Sequence, residues 1–187
     1  MHTKITGIIL ACMLLSLTGC GGKVATKSFV RENTNLSLIK TVAVLPFEGG
    51  GRAPRIRELT MTQLLDIGVF DVIDKGRVDI FLQQEAIPPD APLDSSTIRR
   101  MGQSLNVQAV ILGSVEQATE TRGSASFPEI TMTMRLVDCE SGQLLWQASG
   151  RGSGYSVADR LFGFAPKDTF TVTVQLLNKL FATMHER

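Results

Sequence analysis

The chain has 187 residues, 43% hydrophobic and 20% charged, with nineteen basic and eighteen acidic side chains. That length suffices for one domain with a sizeable core. The basic residues are scattered, with neither the stripe that nucleic acid demands nor a single-sign field to steer a charged partner, so no nucleic-acid partner is expected.

The first twenty residues, "MHTKITGIILACMLLSLTGC", place Lys4 ahead of an apolar stretch from Ile5 to Leu17. That stretch is too short for a comfortable membrane span and has the form of a secretory signal. It ends in Leu17-Thr18-Gly19-Cys20, which resembles the lipobox of bacterial lipoproteins. The resemblance implies cleavage between Gly19 and Cys20 and a covalent lipid on Cys20; the other reading is an ordinary signal with an incidental cysteine. Several acyl chains on one cysteine give stable anchoring where one is marginal. Gly21 stands where enteric lipoproteins retained at the inner membrane carry aspartate, which implies the outer membrane, periplasmic face.

Cleavage leaves 168 of the 187 residues and balances eighteen basic against eighteen acidic groups. Cys12 leaves with the signal and Cys20 carries lipid, so Cys139 is a lone thiol, either reactive or a small buried apolar residue. The only histidines are His2 and His185, so no metal-ligand set is expected. Residues 20–38 read as a polar tether with an extended reach of at most ~60 Å. Docking of Phe29 and Val30 on the domain, which would shorten it, is the open alternative.

The folded part is expected over residues 39–187. Thr41–Phe47 has the continuous apolar character of a buried strand. A glycine cluster, Gly49-Gly50-Gly51, leads into a helix with Pro54 in its first turn, a stripe of Ile56, Leu59, Leu64 and Ile67, and Gly68 as its stop. Val69–Ile73 is a second strand. Val78, Phe81 and Leu82 mark a helix face, and the tract "IPPDAPLD" ends it. Asp94 or Ser95 caps a further helix with Ile98, Met101 and Leu105 inward. Val107–Val115 is the central strand. Two helical crossovers imply parallel neighbours.

The pattern then changes to alternation. Ile130, Met132, Met134 and Leu136 alternate with Thr131, Thr133, Arg135 and Val137; Leu144, Trp146 and Ala148 alternate with Leu145, Gln147 and Ser149. The two runs form a hairpin about Asp138–Gly142. A last helix carries Phe170, Val174, Leu177, Phe181 and Met184 in one seam, widened by Val172, Leu176 and Leu180. It is expected to pack on the sheet, a coiled-coil partner being the sharper alternative. The expected fold is therefore α/β: one three-layer-like domain whose mixed sheet joins a parallel βαβαβ part to an antiparallel hairpin, with a C-terminal packing helix.

No catalytic constellation emerges. The glycine cluster matches two positions of G-x-G-x-x-G, with Asp74 near the place of a ribose-binding acid, but Pro54 stands at the third glycine and no G-K-[S/T] follows. No nucleotide and no cofactor beyond the lipid on Cys20 are expected, nor an enzyme. A candidate interaction segment is "YSVADRLFGFAPKD", where Tyr155, Arg160, Phe162 and Phe164 have hot-spot chemistry; the alternative is that the two phenylalanines cover the end of the last helix.

"TVAVLPFE", "VFDVIDKGRVDIFLQQ", "GQSLNVQAVILGSV" and "MRLVDCESGQLLWQASG" follow one another in this order. The sequence resembles the periplasmic domains of the CsgG, PelC and LpoB lipoproteins, and is closest in plan to the PelC type. The resemblance implies non-enzymatic accessory or assembly work in envelope export or secretion, in homo-oligomers such as rings or with envelope-complex proteins. The alternative is activation of a peptidoglycan synthase, a penicillin-binding protein, for which the tether is short. A CsgG-type channel inserts long hairpins with strands of about 9–11 residues. Here "EQATETRGSASFP" is read as a short polar connection, which argues against a self-made barrel.

Overall fold

A computed structural model describes residues 25–88, 91–122, 125–155 and 165–184. Their elements are β1 (Ala25–Val30), a 3-10 turn (Leu36–Leu38), β2 (Thr41–Val44), β3 (Glu48–Gly49), α1 (Ala53–Ile67), β4 (Asp71–Val72), α2 (Lys75–Gln84), α3 (Ser95–Leu105), β5 (Ala109–Arg122), β6 (Ala125–Asp138), β7 (Leu144–Ser153) and α4 (Thr169–Ala182). The sheet order is β1-β7-β6-β5-β2-β4, with β3 pairing β5 beyond the end of β2. Pairs β2–β4, β2–β5 and β3–β5 are parallel; β5–β6, β6–β7 and β1–β7 are antiparallel. The expected mixed α/β sheet and C-terminal helix are present.

Two cores lie on the two faces of the sheet. On one, α1 and α4 cover Val42, Val44, Ile111, Met132, Met134, Leu136, Trp146 and Ala148. On the other, α2 and α3 cover Ala43, Leu45, Val110 and Cys139. The period-two pattern of β2 thus feeds both layers, which is why its sequence reads as uninterrupted apolar.

Local chemistry sets the boundaries. Pro46 has no N–H to give, and the expected strand Thr41–Phe47 ends at Val44 as β2, with β3 following at Glu48–Gly49. Pro54 sits in the first turn of α1, and Gly68 ends that helix in the left-handed region at φ 69°. The Asp94 side chain caps α3 by accepting from the Thr97 N–H at 2.8 Å, and Asp168 caps α4 by accepting from Thr171 at 2.8 Å.

Several expectations need correction. The sheet starts at Ala25, not near residue 39: β1 pairs with β7 from Ala25↔Arg151 to Val30↔Trp146. Val30 is buried whereas Phe29 is 45% exposed, so the docked alternative describes this stretch. Ile67 is 40% exposed, since α1 turns Ala53, Ile56, Arg57, Thr60 and Leu64 inward instead. The last helix packs on the sheet as expected, with Leu177, Phe181 and Met184 of its seam buried. Val172, Leu176 and Leu180 meet the sheet, and Phe170 is 56% exposed. Glycines 150 and 152 leave the space: a Cβ on Gly150 would touch Leu176 and one on Gly152 would touch Val172. Leu145 is buried as well as Trp146, beside a register irregularity at Leu136/Val137.

The largest difference concerns residues 116–128. They form no short connection. They are the outer half of a hairpin whose two strands have 14 residues each, paired as far as Arg122↔Ala125. Threonine favours strands, and Thr119 and Thr121 outweigh the turn-forming glycine and serines of this stretch.

Candidate anchor and interaction surface

Gly19, Cys20 and Gly21 lie outside the described residues, as do Arg160, Phe162 and Phe164; Tyr155 alone of the predicted interaction residues is described. The elements that follow both groups are described: β1 begins five residues after Cys20 and α4 begins five residues after Phe164. Both starts occupy one end of the sheet. Ala25 faces Arg151 on β7, which faces Thr131 on β6, which faces Glu116 on β5. The α4 N-terminus lies there too, since Gly152 packs against Val172.

This end is tied together by a small set of contacts. Tyr155 stacks on Phe127 at 4.9 Å between ring centroids, and Phe127 is 2% exposed. The Gly154 N–H donates to the Pro128 carbonyl at 2.8 Å, and the Lys167 N–H donates to the Gly154 carbonyl at 2.8 Å. Arg151 pairs with Glu129 across the strands. Arg52 donates to the Thr169 hydroxyl at 3.2 Å, joining the glycine loop to α4.

The glycine loop turns a corner. Gly49 has φ 137°, in a region that favours glycine, and a Cβ there would collide with the Val115 carbonyl oxygen. Asp74, placed in sequence like a ribose-binding acid, caps α2 by accepting from the Gly76 N–H at 2.8 Å. Behind the loop Arg57, 6% exposed, donates from Nε to the Val44 carbonyl at 3.0 Å and from Nη1 to Asp79 at 2.7 Å. Nothing in the sequence pattern set Arg57 apart, because it takes an apolar position on the inward face of α1.

The second feature is an uncovered half of the sheet. Helices α2 and α3 contact β2 and β5. Across β6, β7 and β1 the same face presents Lys27, Phe29, Thr133, Arg135, Gln147 and Ser149, with Thr133 and Ser149 hydroxyls 2.8 Å apart. No described helix lies over it. Cys139, by contrast, is buried against Gly102, and burial followed by the neighbouring Asp138 charge pushes its thiol up to about 12. It behaves as a small apolar residue. Among the described residues no three of His, Cys, Asp and Glu gather to hold a metal, and no helix is long and apolar enough to cross a membrane.

An α/β sandwich that carries its chain start and its loop cluster at one end, and a bare polar half-sheet on one side, has the build of an accessory binding module. The sequence matches the family described as "Peptidoglycan-synthase activator LpoB" over residues 56–151. That is just over half of the chain, from α1 to the end of β7, and the protein belongs to this family. The match specifies LpoB within the wider resemblance, for which the CsgG label was imprecise. Among solved structures, the PelC dodecamer from Paraburkholderia phytofirmans is similar at 16% identity and TM-score 0.58, covering 88% of this chain and 99% of that one. Lipoprotein GNA1162 from Neisseria meningitidis is similar at 16% identity and TM-score 0.58, covering 79% and 99%. At these identities the likeness establishes the fold. No curated protein matches the sequence.

Proposed function

We propose that the protein is a non-catalytic outer-membrane lipoprotein, held by acyl chains on Cys20 at the periplasmic face, that binds and activates a peptidoglycan synthase. The family match over residues 56–151 carries this reading. It favours the activator over an export role, although the tether length argues the other way. Capture of penicillin-binding proteins by the purified lipoprotein tests it. Selective retention of one synthase, with a rise in its glycan polymerisation, is the expected result; no retention of any synthase refutes it. Replacing Cys20 with Ser should move the protein from the membrane fraction to the soluble periplasm.

A second reading is an assembly subunit for envelope export, built from several copies of the chain. The similar PelC structure is a dodecamer, which motivates it, and the half-sheet that no described helix covers supplies a surface on which copies or envelope proteins meet. Sedimentation of the chain from Gly21 onward tests this reading. A single monomeric species at high concentration refutes it.

A further inference from the structure

The β5–β6 hairpin outruns its neighbours. Pairing with β7 ends at Glu129↔Ser153, and pairing with β3 ends at Val115↔Gly49. Beyond Glu116 the hairpin continues to Arg122↔Ala125; β7 accompanies it as far as Glu129, which faces Ala118, and past that pair it is a two-stranded ribbon. The six residues past Glu116 extend it by ~20 Å at 3.2–3.4 Å per residue.

Strand β1, read back toward its start, points in the same direction. Going from Val30 to Ala25 along β1 follows β7 forward, β6 backward and β5 forward, which is the way the ribbon grows. Ala25 lies in the row of Arg151, Thr131 and Glu116, from which the hairpin extends. Five residue steps separate Cys20 from Ala25, a span of at most ~18 Å at 3.3–3.6 Å per residue. The link is thus no longer than that extension.

We propose that the outer ribbon, residues 117–122 with 125–128, rests on the phospholipid headgroup layer and sets the orientation of the domain on the membrane. The inference rests on acylation of Cys20. An anchored cysteine brings the Ala25 row within ~18 Å of the leaflet, and the ribbon spans that gap. Its chemistry suits headgroups and not acyl chains. Gln117, Thr119, Thr121 and Ser126 are exposed and uncharged, and their hydroxyl and amide groups can bond to phosphate and glycerol oxygens. The bare half-sheet then stands edge-on to the membrane. The opposite end of the sheet, with the exposed side chains of Leu38, Leu65 and Ile67, points into the periplasm.

The full lipoprotein is reconstituted into phosphatidylethanolamine–phosphatidylglycerol vesicles carrying nitroxide headgroups. A bimane fluorophore is placed on Thr119→Cys or Ser126→Cys at the ribbon, or on Leu65→Cys at the far end; the buried Cys139 takes no label. The ribbon labels should lose most of their emission and the far-end label little. Inserting twenty Gly/Ser residues between Gly22 and Lys23 gives that segment a root-mean-square length of ~25 Å and should bring the ribbon values toward that of Leu65→Cys. Equal emission at both ends, with Cys20 shown acylated by mass spectrometry, overturns the orientation and leaves the anchor standing. A bare Cys20 overturns the anchor and the orientation together.

Discussion

Trp146 is the only tryptophan in the chain and is fully buried. Its Nε1–H donates to the Thr183 hydroxyl at 3.0 Å, and that hydroxyl donates to the Leu180 carbonyl at 2.6 Å. Its ring also lies 6.2 Å from that of Phe181. The set pins the end of α4 to β7. Thr183→Val keeps the shape and removes the acceptor, leaving an indole N–H buried without a partner. Such an orphan costs about 1–3 kcal/mol. With a melting shift of about 2–4 °C per kcal/mol at this size, a drop of several degrees is expected. Trp146→Phe removes the donor and leaves a small gap, so it destabilises by packing loss alone. Because no orphan exists in its background, Thr183→Val should cost at least ~0.5 kcal/mol less there than in the natural chain. Urea unfolding of the chain from Gly21 onward, followed by circular dichroism, gives all four corners of the cycle. A Thr183→Val effect within ~0.5 kcal/mol of zero, or an equal effect in both backgrounds, refutes the assignment.

Gly49→Ala should destabilise by about 1–3 kcal/mol through its backbone conformation, and hydrogen exchange should show the β3–β5 pairing lost. Gly50→Ala and Gly51→Ala, where a Cβ meets open space, should stay within ~0.5 kcal/mol of the natural chain; a loop built to hold phosphate would register all three. Cys139 should resist thiol reagents in the folded protein and react once unfolded. Its folded thiol binds a proton that the unfolded thiol releases near pH 9.0, so its contribution to stability is full below that pH and lost as pH rises to about 12; Cys139→Ala should flatten this alkaline decline in a pH series of melts. Hydrogen bonds from the Thr97 hydroxyl and backbone lower the Asp94 pKa, and the Thr171 backbone lowers that of Asp168. Their contribution is present above the unfolded value of 3.8 and lost as pH falls through the lowered folded values. Replacing both with Asn should keep the caps and remove that acid limb of the stability curve.

The parts of the fold that were legible in sequence are those where one residue type has one physical use. Gly68 and Asp94 each fixed a helix end to within a residue or two, and the alternation of Ile130, Met132, Met134 and Leu136 fixed the inner half of β6 and its buried face. Long strands with polar outer halves were not legible. Gln117, Thr119 and Thr121 are exposed and carry no apolar alternation, so the signal that betrays a half-buried strand is absent. Likewise β1 has one buried side chain, Val30, in six residues; its order comes from backbone pairing with β7, which a sequence does not display. The apolar stripe of α4 was legible except at Phe170, while the close approach of Val172 and Leu176 to Gly152 and Gly150 on the facing strand was not. Of the candidate surface, the polar half-sheet that no described helix covers was not legible, because it required knowing that α2 and α3 stop at β5.

The position of β1 also bears on what the protein can touch. A free tether of residues 20–38 would let the domain range far into the periplasm. With β1 in the sheet, the link spans at most ~18 Å. The sheet continues from the Glu116 row to the Ala109 row over seven further residues, or ~23 Å. With Cys20 acylated as proposed, the far end is held within ~40 Å of the leaflet on that count. A synthase activated by this lipoprotein must bring its own docking region into that zone; the lipoprotein cannot travel to it. On the proposed anchor and orientation, copies of the chain meet no such limit, because their half-sheets stand at the same height over one membrane. The short link thus makes the membrane part of the binding geometry in either case. In the activator it selects for a partner that crosses most of the gap. In an assembly it confines neighbours to a plane, which raises their effective concentration without any added contact.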